Sequence, residues 1–374
     1  MLQTPPAVVG QREDEIDTPA LLLDLDAFEY NLDRMAALLA RAGVRLRPHA
    51  KAHKCPAVAR LQIARGAVGQ CVQKVAEAEA MVWGGIDNVL VSNEVVGATK
   101  LARFAALSRQ ADVAICADSE AHVSAIEAAA ADASRQLRVL VEIDAGGGRC
   151  GVEPGERAAL LARRIAQSQH LIFGGLQAYH GTAQHRRLPA ERAAAIDFAA
   201  TGVRRTLDAL ARYDLECPVV TGGGTGTFEY EIASGVYTEI QAGSYCLMDA
   251  DYARNLDADG KPVSTFRQSL FVLSTVMSSA RTGVAVVDAG HKAVTIDSGL
   301  PLVWERPELT YVDASDEHGT LNYAAGARVP QLGEKVRLVP GHCDPTVDRY
   351  DWYIGVRGGR VESVWPIAAR GAMR

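Results

Sequence analysis

Arg47-Pro48-His49-Ala50-Lys51-Ala52-His53-Lys54 is the stretch on which the reading of this chain turns. It follows Val44-Arg45-Leu46, a short run alternating apolar and polar residues, so Lys51 falls where a strand hands over to a loop. A lysine in that position reaches into the space above a barrel, loses part of its hydration and becomes nucleophilic enough to form a Schiff base with a carbonyl cofactor. Lone lysines in basic turns are more often ordinary surface residues. The company Lys51 keeps further along the chain decides between the two.

Residues 19–25 read as a buried strand, and Asp26-Ala27-Phe28-Glu29 opens a helix with a pair resembling a capping box. Strands then follow at 44–51, 67–73, 88–91, 112–117, 137–143, 172–179, 219–221 and 239–242, with Ala- and Arg-rich helical stretches between most of them. Eight such alternations predict an α/β protein built on a (β/α)8 barrel, ahead of a doubly wound sheet, over residues 26–266. The last unit is the weakest, because 226–237 is a poor helix. Beyond residue 266 the texture turns β-rich. Strands at 269–277, 283–288, 335–339 and 355–365, with turn signals at Asp288-Ala289-Gly290 and Arg357-Gly358-Gly359, predict a β domain over 267–374 that also takes in 1–25.

Composition narrows the function. The 374 residues are 48% hydrophobic and 22% charged with a formal charge of -6, which gives no basic face for nucleic acid or anionic lipid. Acids at Glu13, Asp14, Glu15 and Asp17 replace the basic and apolar regions of a leader, and no apolar run is long enough to span a bilayer, so a cytoplasmic protein is expected. Seven scattered cysteines without a CxxC pair argue against a disulfide framework or a thiolate zinc site.

Barrel chemistry sits at the C-terminal mouth. The residues falling there are Lys51, Gln73, Ser92-Asn93-Glu94, Asp144, Arg149, Tyr179 through His185, Thr221 through Gly226, and Ala242 through Tyr245. Gly-rich turns after strands seven and eight let backbone N–H groups close on an anion, at the place where barrels commonly hold phosphate. Gly223, Gly224 and Gly243 lie in those turns, and Thr225 or Ser244 can add a hydroxyl donor. A lysine facing a phosphate cup suggests pyridoxal 5'-phosphate, which needs an anchor for its phosphate and an amine for its aldehyde. In the β domain, Pro340-Gly341-His342-Cys343-Asp344-Pro345 places an imidazole and a carboxylate on one side of an extended backbone, a pair suited to manganese, cobalt or zinc. Asp316-Glu317-His318-Gly319 either adds a polar group there or is a turn.

Together with Gly148-Arg149-Cys150-Gly151, Leu176 through Gly181 and Tyr237 through Tyr245, these motifs resemble the D-threonine aldolase family from about residue 16 to the C-terminus. The likeness extends less closely to 3-hydroxy-D-aspartate aldolase and the metal-dependent D-serine dehydratases, all of alanine-racemase-like fold. The resemblance implies a pyridoxal-phosphate barrel, a head-to-tail homodimer and a required divalent cation, manganese first, with Co2+, Mg2+ or Zn2+ as alternatives. By position it makes Lys51 the Schiff-base lysine, His342 and Asp344 the metal ligands and His185 the base. Arg149 would lie near the phenolic oxygen, with Gln73, Tyr179, Thr221 and Tyr245 also at the cofactor. Dehydratases carry His-x-Cys where this chain has His-x-Asp, which favours an aldolase. The implied reaction is retro-aldol cleavage of a D-β-hydroxy-α-amino acid to glycine and an aldehyde. The rivals are 3-hydroxy-D-aspartate aldolase, a dehydratase, and a non-catalytic carrier of the cofactor.

Overall fold

The computed structural model describes residues 3–374. The chain enters through β1 (Ala20–Asp24) and passes directly into α1 (Leu25–Ala42). Asp24, still extended, caps the helix by accepting Ala27 N–H at 3.0 Å. The helix therefore starts one residue before the expected Asp26, because the last strand residue supplies the carboxylate that the orphan N–H groups need.

The barrel follows as β2 (Arg45–Leu46), α2 (Pro56–Ile63), β3 (Gln70–Val72), α3 (Val75–Trp83), β4 (Asn88–Glu94), α4 (Ala98–Leu107), β5 (Asp112–Ala117) and α5 (Glu120–Asp132). It continues as β6 (Leu137–Glu142), α6 (Glu156–Ala166), β7 (Leu171–Gln177), α7 (Pro189–Ala211), β8 (Val220–Gly222), α8 (Phe228–Ser234) and β9 (Glu239–Ile240). All eight strands β2 to β9 run parallel, in the order β2-β9-β8-β7-β6-β5-β4-β3. The ends meet where Val68 N–H donates to Leu46 O, Cys71 N–H to Pro48 O and Ala50 N–H to Cys71 O. β2 is shorter than the expected 44–51 because Pro48 has no N–H to add to the ladder. Cys71, Leu90, Ala114, Cys116 and Leu140 form a small inner core. The alternate residues, Val89, Val91, Val113, Ile115, Val139 and Val141, belong to the main core beneath the helices.

Two features depart from the plain alternation. α8 does form within 226–237, held by buried Phe228 and by Thr227 Oγ1 donating to buried Glu231 at 2.8 Å. After β9 no helix follows. A short turn at Ser244–Cys246 packs against α1, whose buried Asn31 donates to Arg267 O at 2.7 Å and accepts Arg267 N–H at 2.7 Å. The first helix of the chain thus occupies the place of the eighth.

The remaining strands are β10 (Leu270–Arg281), β11 (Val284–Val287), β12 (Leu302–Val303), β13 (Leu309–Ala314), β14 (Gly319–Tyr323), β15 (Lys335–Val339), β16 (Trp352–Arg357) and β17 (Arg360–Pro366), with the short α9 (Cys343–Val347) before β16. They form a nine-stranded mixed sheet in which β1 lies between β10 and β16. Leu21 and Leu23 of β1 face the main core, while Ala20 and Leu22 face a second one with Phe271, Leu273 and Ile354. Burial on both faces explains the unbroken apolar run. β12 to β14 were not expected, since β12 has two residues and the outer positions of β13 are polar or exposed. Asp316 to Gly319 is the turn between β13 and β14. Among the described residues no helix is long and apolar enough to cross a membrane.

Candidate active site

A cavity of about 460 Å3 opens at the C-terminal ends of the barrel strands, with His49, Lys51, Gln73, Arg149, Tyr179 and His185 in its wall. Lys51 sits on a tight turn after β2 in which Ala50 O accepts from His53 N–H and Lys54 N–H. Its Nζ lies 2.6 Å from Asp344 Oδ2, and the side chain is 40% exposed towards the cavity. The Asp344 carboxylate raises the lysine pKa above its ordinary value. Burial alone would push Asp344 up, but Lys51 and His342 hold it below the usual carboxylate range. His49 beside it is nearly buried and receives Gln73 Nε2 at 2.9 Å. Burial, and then the Lys51 charge, push its pKa well down, so the imidazole is neutral.

His185 ends the turn Gly181–His185 that follows β7. Its Nδ1 forms a very short hydrogen bond to Asp251, which also pairs with Arg187. Burial opposes the charge on Asp251, yet His185 and Arg187 bring its pKa down to about 2. A permanent carboxylate at Nδ1 fixes that nitrogen as the N–H and leaves the lone pair on Nε2. The competing histidines are less suited to proton transfer. His53 is fully buried, and burial lowers its pKa to about 4. His180 is buried, lowered in the same way, and absent from the cavity wall.

The two glycine turns lie beyond this wall. Gly223 has φ +74°, a conformation open to glycine. A Cβ on Gly224 would meet Gln184 Oε1 at 2.5 Å, and one on Gly243 would meet His49 O at 2.6 Å. Among the described residues the N–H groups of Gly224, Thr225, Gly243 and Ser244 find no acceptor, and Thr225 Oγ1 is buried without a partner. Thr221 Oγ1 accepts Gln241 Nε2 at 2.9 Å, and the same amide donates to Gln177 Oε1 at 2.7 Å, making a polar floor. Tyr245 departs from expectation. Its ring is buried against Phe266 and its hydroxyl receives Gln62 Nε2 at 3.3 Å, so its side chain serves the core and not the cavity.

Arg149 rides on a loop built by Asp144, which accepts Gly146 N–H and Gly148 N–H, and it has no carboxylate partner among the described residues. Glu142 also lines the cavity, and burial followed by the nearby Glu94 raises its pKa, so it is held neutral. His342 and Asp344 do come together, with Nε2 and Oδ1 3.9 Å apart, but not on an extended backbone as expected. His342 is the extended residue before α9 and Asp344 lies in its first turn, with Pro345 pre-set for that conformation. His342 Nδ1 faces Asp297 Oδ2 at 3.4 Å, which leaves Nε2 turned to Asp344. His318 belongs to the β13–β14 turn. Among the described residues no three metal-binding side chains are gathered into a ready-made cluster.

Residues 23–251 match the family model for the alanine racemase N-terminal domain, and 269–356 match a putative serine dehydratase domain. The chain is 46% identical to 3-hydroxy-D-aspartate aldolase of Paracoccus denitrificans (strain Pd 1222) over 370 residues, 98% of this chain and 95% of that protein. It is also 46% identical to D-threonine aldolase of Arthrobacter sp over 370 residues, covering 99% and 97%. The crystal structure of D-threonine aldolase from Filomicrobium marinum superposes with a TM-score of 0.96 at 50% identity, covering 99% of this chain and all of that one. The chain belongs to the D-threonine and 3-hydroxy-D-aspartate aldolase family. These aldolases are carbon–carbon lyases of alanine-racemase-like fold, and this one is an enzyme of that kind.

In this aldolase Lys51, Gln73, Arg149, Tyr179 and His185 share one cavity, and Asp344 is bonded to Lys51. Three further residues were given no role in the sequence reading. Asp251 fixes the His185 tautomer from 66 positions away, Gln184 lies against the glycine turn, and Glu142 closes one wall. No local pattern marks the first two, because their partners come from other elements. Glu142 had a signal in its place at the mouth end of β6.

Proposed function

We propose that this aldolase cleaves the Cα–Cβ bond of D-β-hydroxy-α-amino acids, D-threonine and its analogues, to glycine and an aldehyde. Pyridoxal phosphate would be held at Lys51, and a divalent cation, manganese before cobalt, magnesium or zinc, at His342 and Asp344. The observation that carries the reading is that Lys51 and His185 line one cavity while Asp344 reaches Lys51 from α9, between β15 and β16. When bound, the cofactor supplies an electron sink for the carbanion left at Cα. The residues present fit it. Lys51 Nζ faces the cavity, and the unpartnered N–H groups of Gly224, Thr225, Gly243 and Ser244, with the Thr225 hydroxyl, form a cup for a dianion.

His185 Nε2 takes the proton of the β-hydroxyl, and the Asp251 carboxylate stabilises the imidazolium that results. Loss of that proton lets the C–O bond become a carbonyl as the Cα–Cβ pair is released to Cα, and protonation of Cα completes glycine. Lys51 matters twice. Its ammonium neutralises Asp344, and with Nζ committed to the cofactor, Asp344 and His342 Nε2 would be the residues to hold a divalent cation, which would supply a Lewis acid for the β-oxygen. Asp297 behind Nδ1 is the kind of outer carboxylate that orients a metal-bound imidazole.

Arg149 supports a second reading. A guanidinium in the cavity wall with no carboxylate partner could take the extra carboxylate of 3-hydroxy-D-aspartate. Glycine release from D-threonine, D-phenylserine, the D-3-hydroxyaspartates and their L-isomers, with and without EDTA, tests all of this. Glycine from D-isomers alone, abolished by EDTA and restored by Mn2+, is the expected result. Ammonia and a keto acid would make the protein a dehydratase, and a cofactor-bound protein that cleaves nothing would make it a carrier. The proposed homodimer predicts twice the chain mass by light scattering.

A further inference from the structure

We propose that Gln184 is a positioning residue that ties the cup for the cofactor's phosphate to the turn carrying His185; this rests on the function proposed above. Gln184 is fully buried, one residue before His185. Its Oε1 accepts Gly226 N–H at 3.0 Å, and its Nε2 donates to Thr227 Oγ1 at 2.7 Å. Its own carbonyl accepts Asn255 Nδ2 at 2.9 Å, and Asn255 Oδ1 in turn receives Arg187, the residue that shares Asp251 with His185. One residue therefore meets both halves of the proposed site, its side chain the glycine turn and its backbone carbonyl the Asn255–Arg187 link behind His185.

The glycines carry the same message. A Cβ on Gly224 would lie 2.5 Å from Gln184 Oε1, and one on Gly226 would lie 2.4 Å from Gln184 O. Two of the glycines in Thr221-Gly222-Gly223-Gly224-Thr225-Gly226 are thus required by Gln184 pressing on the loop, before any anion enters. Thr227 Oγ1 in turn donates a hydrogen bond to Glu231 Oε1 at 2.8 Å, so the amide is anchored to the buried start of α8 as well. With Gly226 N–H occupied by Gln184, the neighbouring N–H groups of Gly224 and Thr225 remain to face the phosphate.

The test compares Gln184→Leu with the wild type for equilibrium binding of pyridoxal 5'-phosphate and of pyridoxal, which lacks the phosphate. A loosened cup weakens pyridoxal 5'-phosphate about tenfold, the size of one or two lost hydrogen bonds, and leaves pyridoxal within about twofold. At saturating cofactor, kcat falls while KM holds, because His185 is misplaced. Thr227→Val, which removes the Gln184 acceptor from the other side, reproduces the pattern, and Gln184→Glu, keeping the acceptor for Gly226 N–H, restores part of the phosphate preference. Equal losses for both ligands, or none for either, overturn the proposal. Wild-type protein that binds no pyridoxal 5'-phosphate overturns the underlying functional reading, and this proposal with it.

Discussion

Lys51 governs attachment of the cofactor while His185 and Asp251 govern proton transfer, so single substitutions separate the two. Lys51→Ala removes the amine that would hold the cofactor, and the purified protein should lose the visible absorbance of bound pyridoxal phosphate together with all glycine release. His185→Asn keeps the lysine, so the absorbance should persist while cleavage disappears. Wild-type turnover in that variant would transfer the base role elsewhere. Asp251→Asn replaces a carboxylate held ionised down to about pH 2 by an amide that does not compel the proton onto Nδ1. The loss of kcat should be on the order of 10²- to 10⁴-fold with KM little changed, as expected when a general base is present but mis-protonated. Steady-state glycine formation at saturating cofactor reads it.

At the scale of elements, the turn 50–54 and α9 are locked together twice. Lys51 pairs with Asp344, and Lys54, in a left-handed conformation at φ +53°, places Nζ 2.8 Å from buried Glu77 and 3.2 Å from Asp348, the residue after α9. Removing Lys54 leaves two largely buried carboxylates without a cation, so Lys54→Met should cost about 3–5 kcal/mol in urea unfolding and blur the placement of Asp344. An unchanged midpoint would mean that Lys54 is a solvated bystander. Which elements were legible in the sequence follows from the same physics. β4 to β7 stood out because their centres, residues 89–91, 113–117, 139–141 and 173–176, are buried on both faces and read as short apolar runs. β12 to β14 did not, being short or half-exposed, and the hairpin of β16 and β17 was visible only through Gly358-Gly359. Lys51, His185 and the His342–Asp344 pair were legible as residue types at loop positions. Asp251 behind His185 and Asp297 behind His342 were not, because each contact is closed by tertiary packing. The placement of α1 over the end of β9 was likewise invisible, since nothing local says that the first helix completes the barrel.

For the molecule as a whole, the buried ionisable groups make opposing demands on pH. Glu231, beneath the glycine turn, has its pKa raised by burial to about 7. Its unfolded value is about 4.3, so between these values the folded state binds more protons, and stability falls as pH rises from about 4.3 to 7. The full penalty, about 4 kcal/mol, persists above pH 7. His53 acts in the opposite sense over an overlapping window. Burial lowers it to about 4 against about 6.5 unfolded, so its contribution is complete above pH 6.5 and is lost as pH falls towards 4. Glu231 and His53 therefore oppose each other between about pH 4.5 and 6.5, and the wild-type curve alone does not separate them. Glu231→Gln keeps an oxygen for the Thr227 hydroxyl and deletes only the titration, so the difference between variant and wild type isolates one term. Measured by urea unfolding without added cofactor, that difference should move in the variant's favour by about 3 kcal/mol between pH 4.5 and 7.5 and then stay level. A difference independent of pH would place the Glu231 carboxyl in contact with solvent, and the packing of α8 under the glycine turn would have to be looser than the hydrogen bonds from Thr227 and Gln184 require.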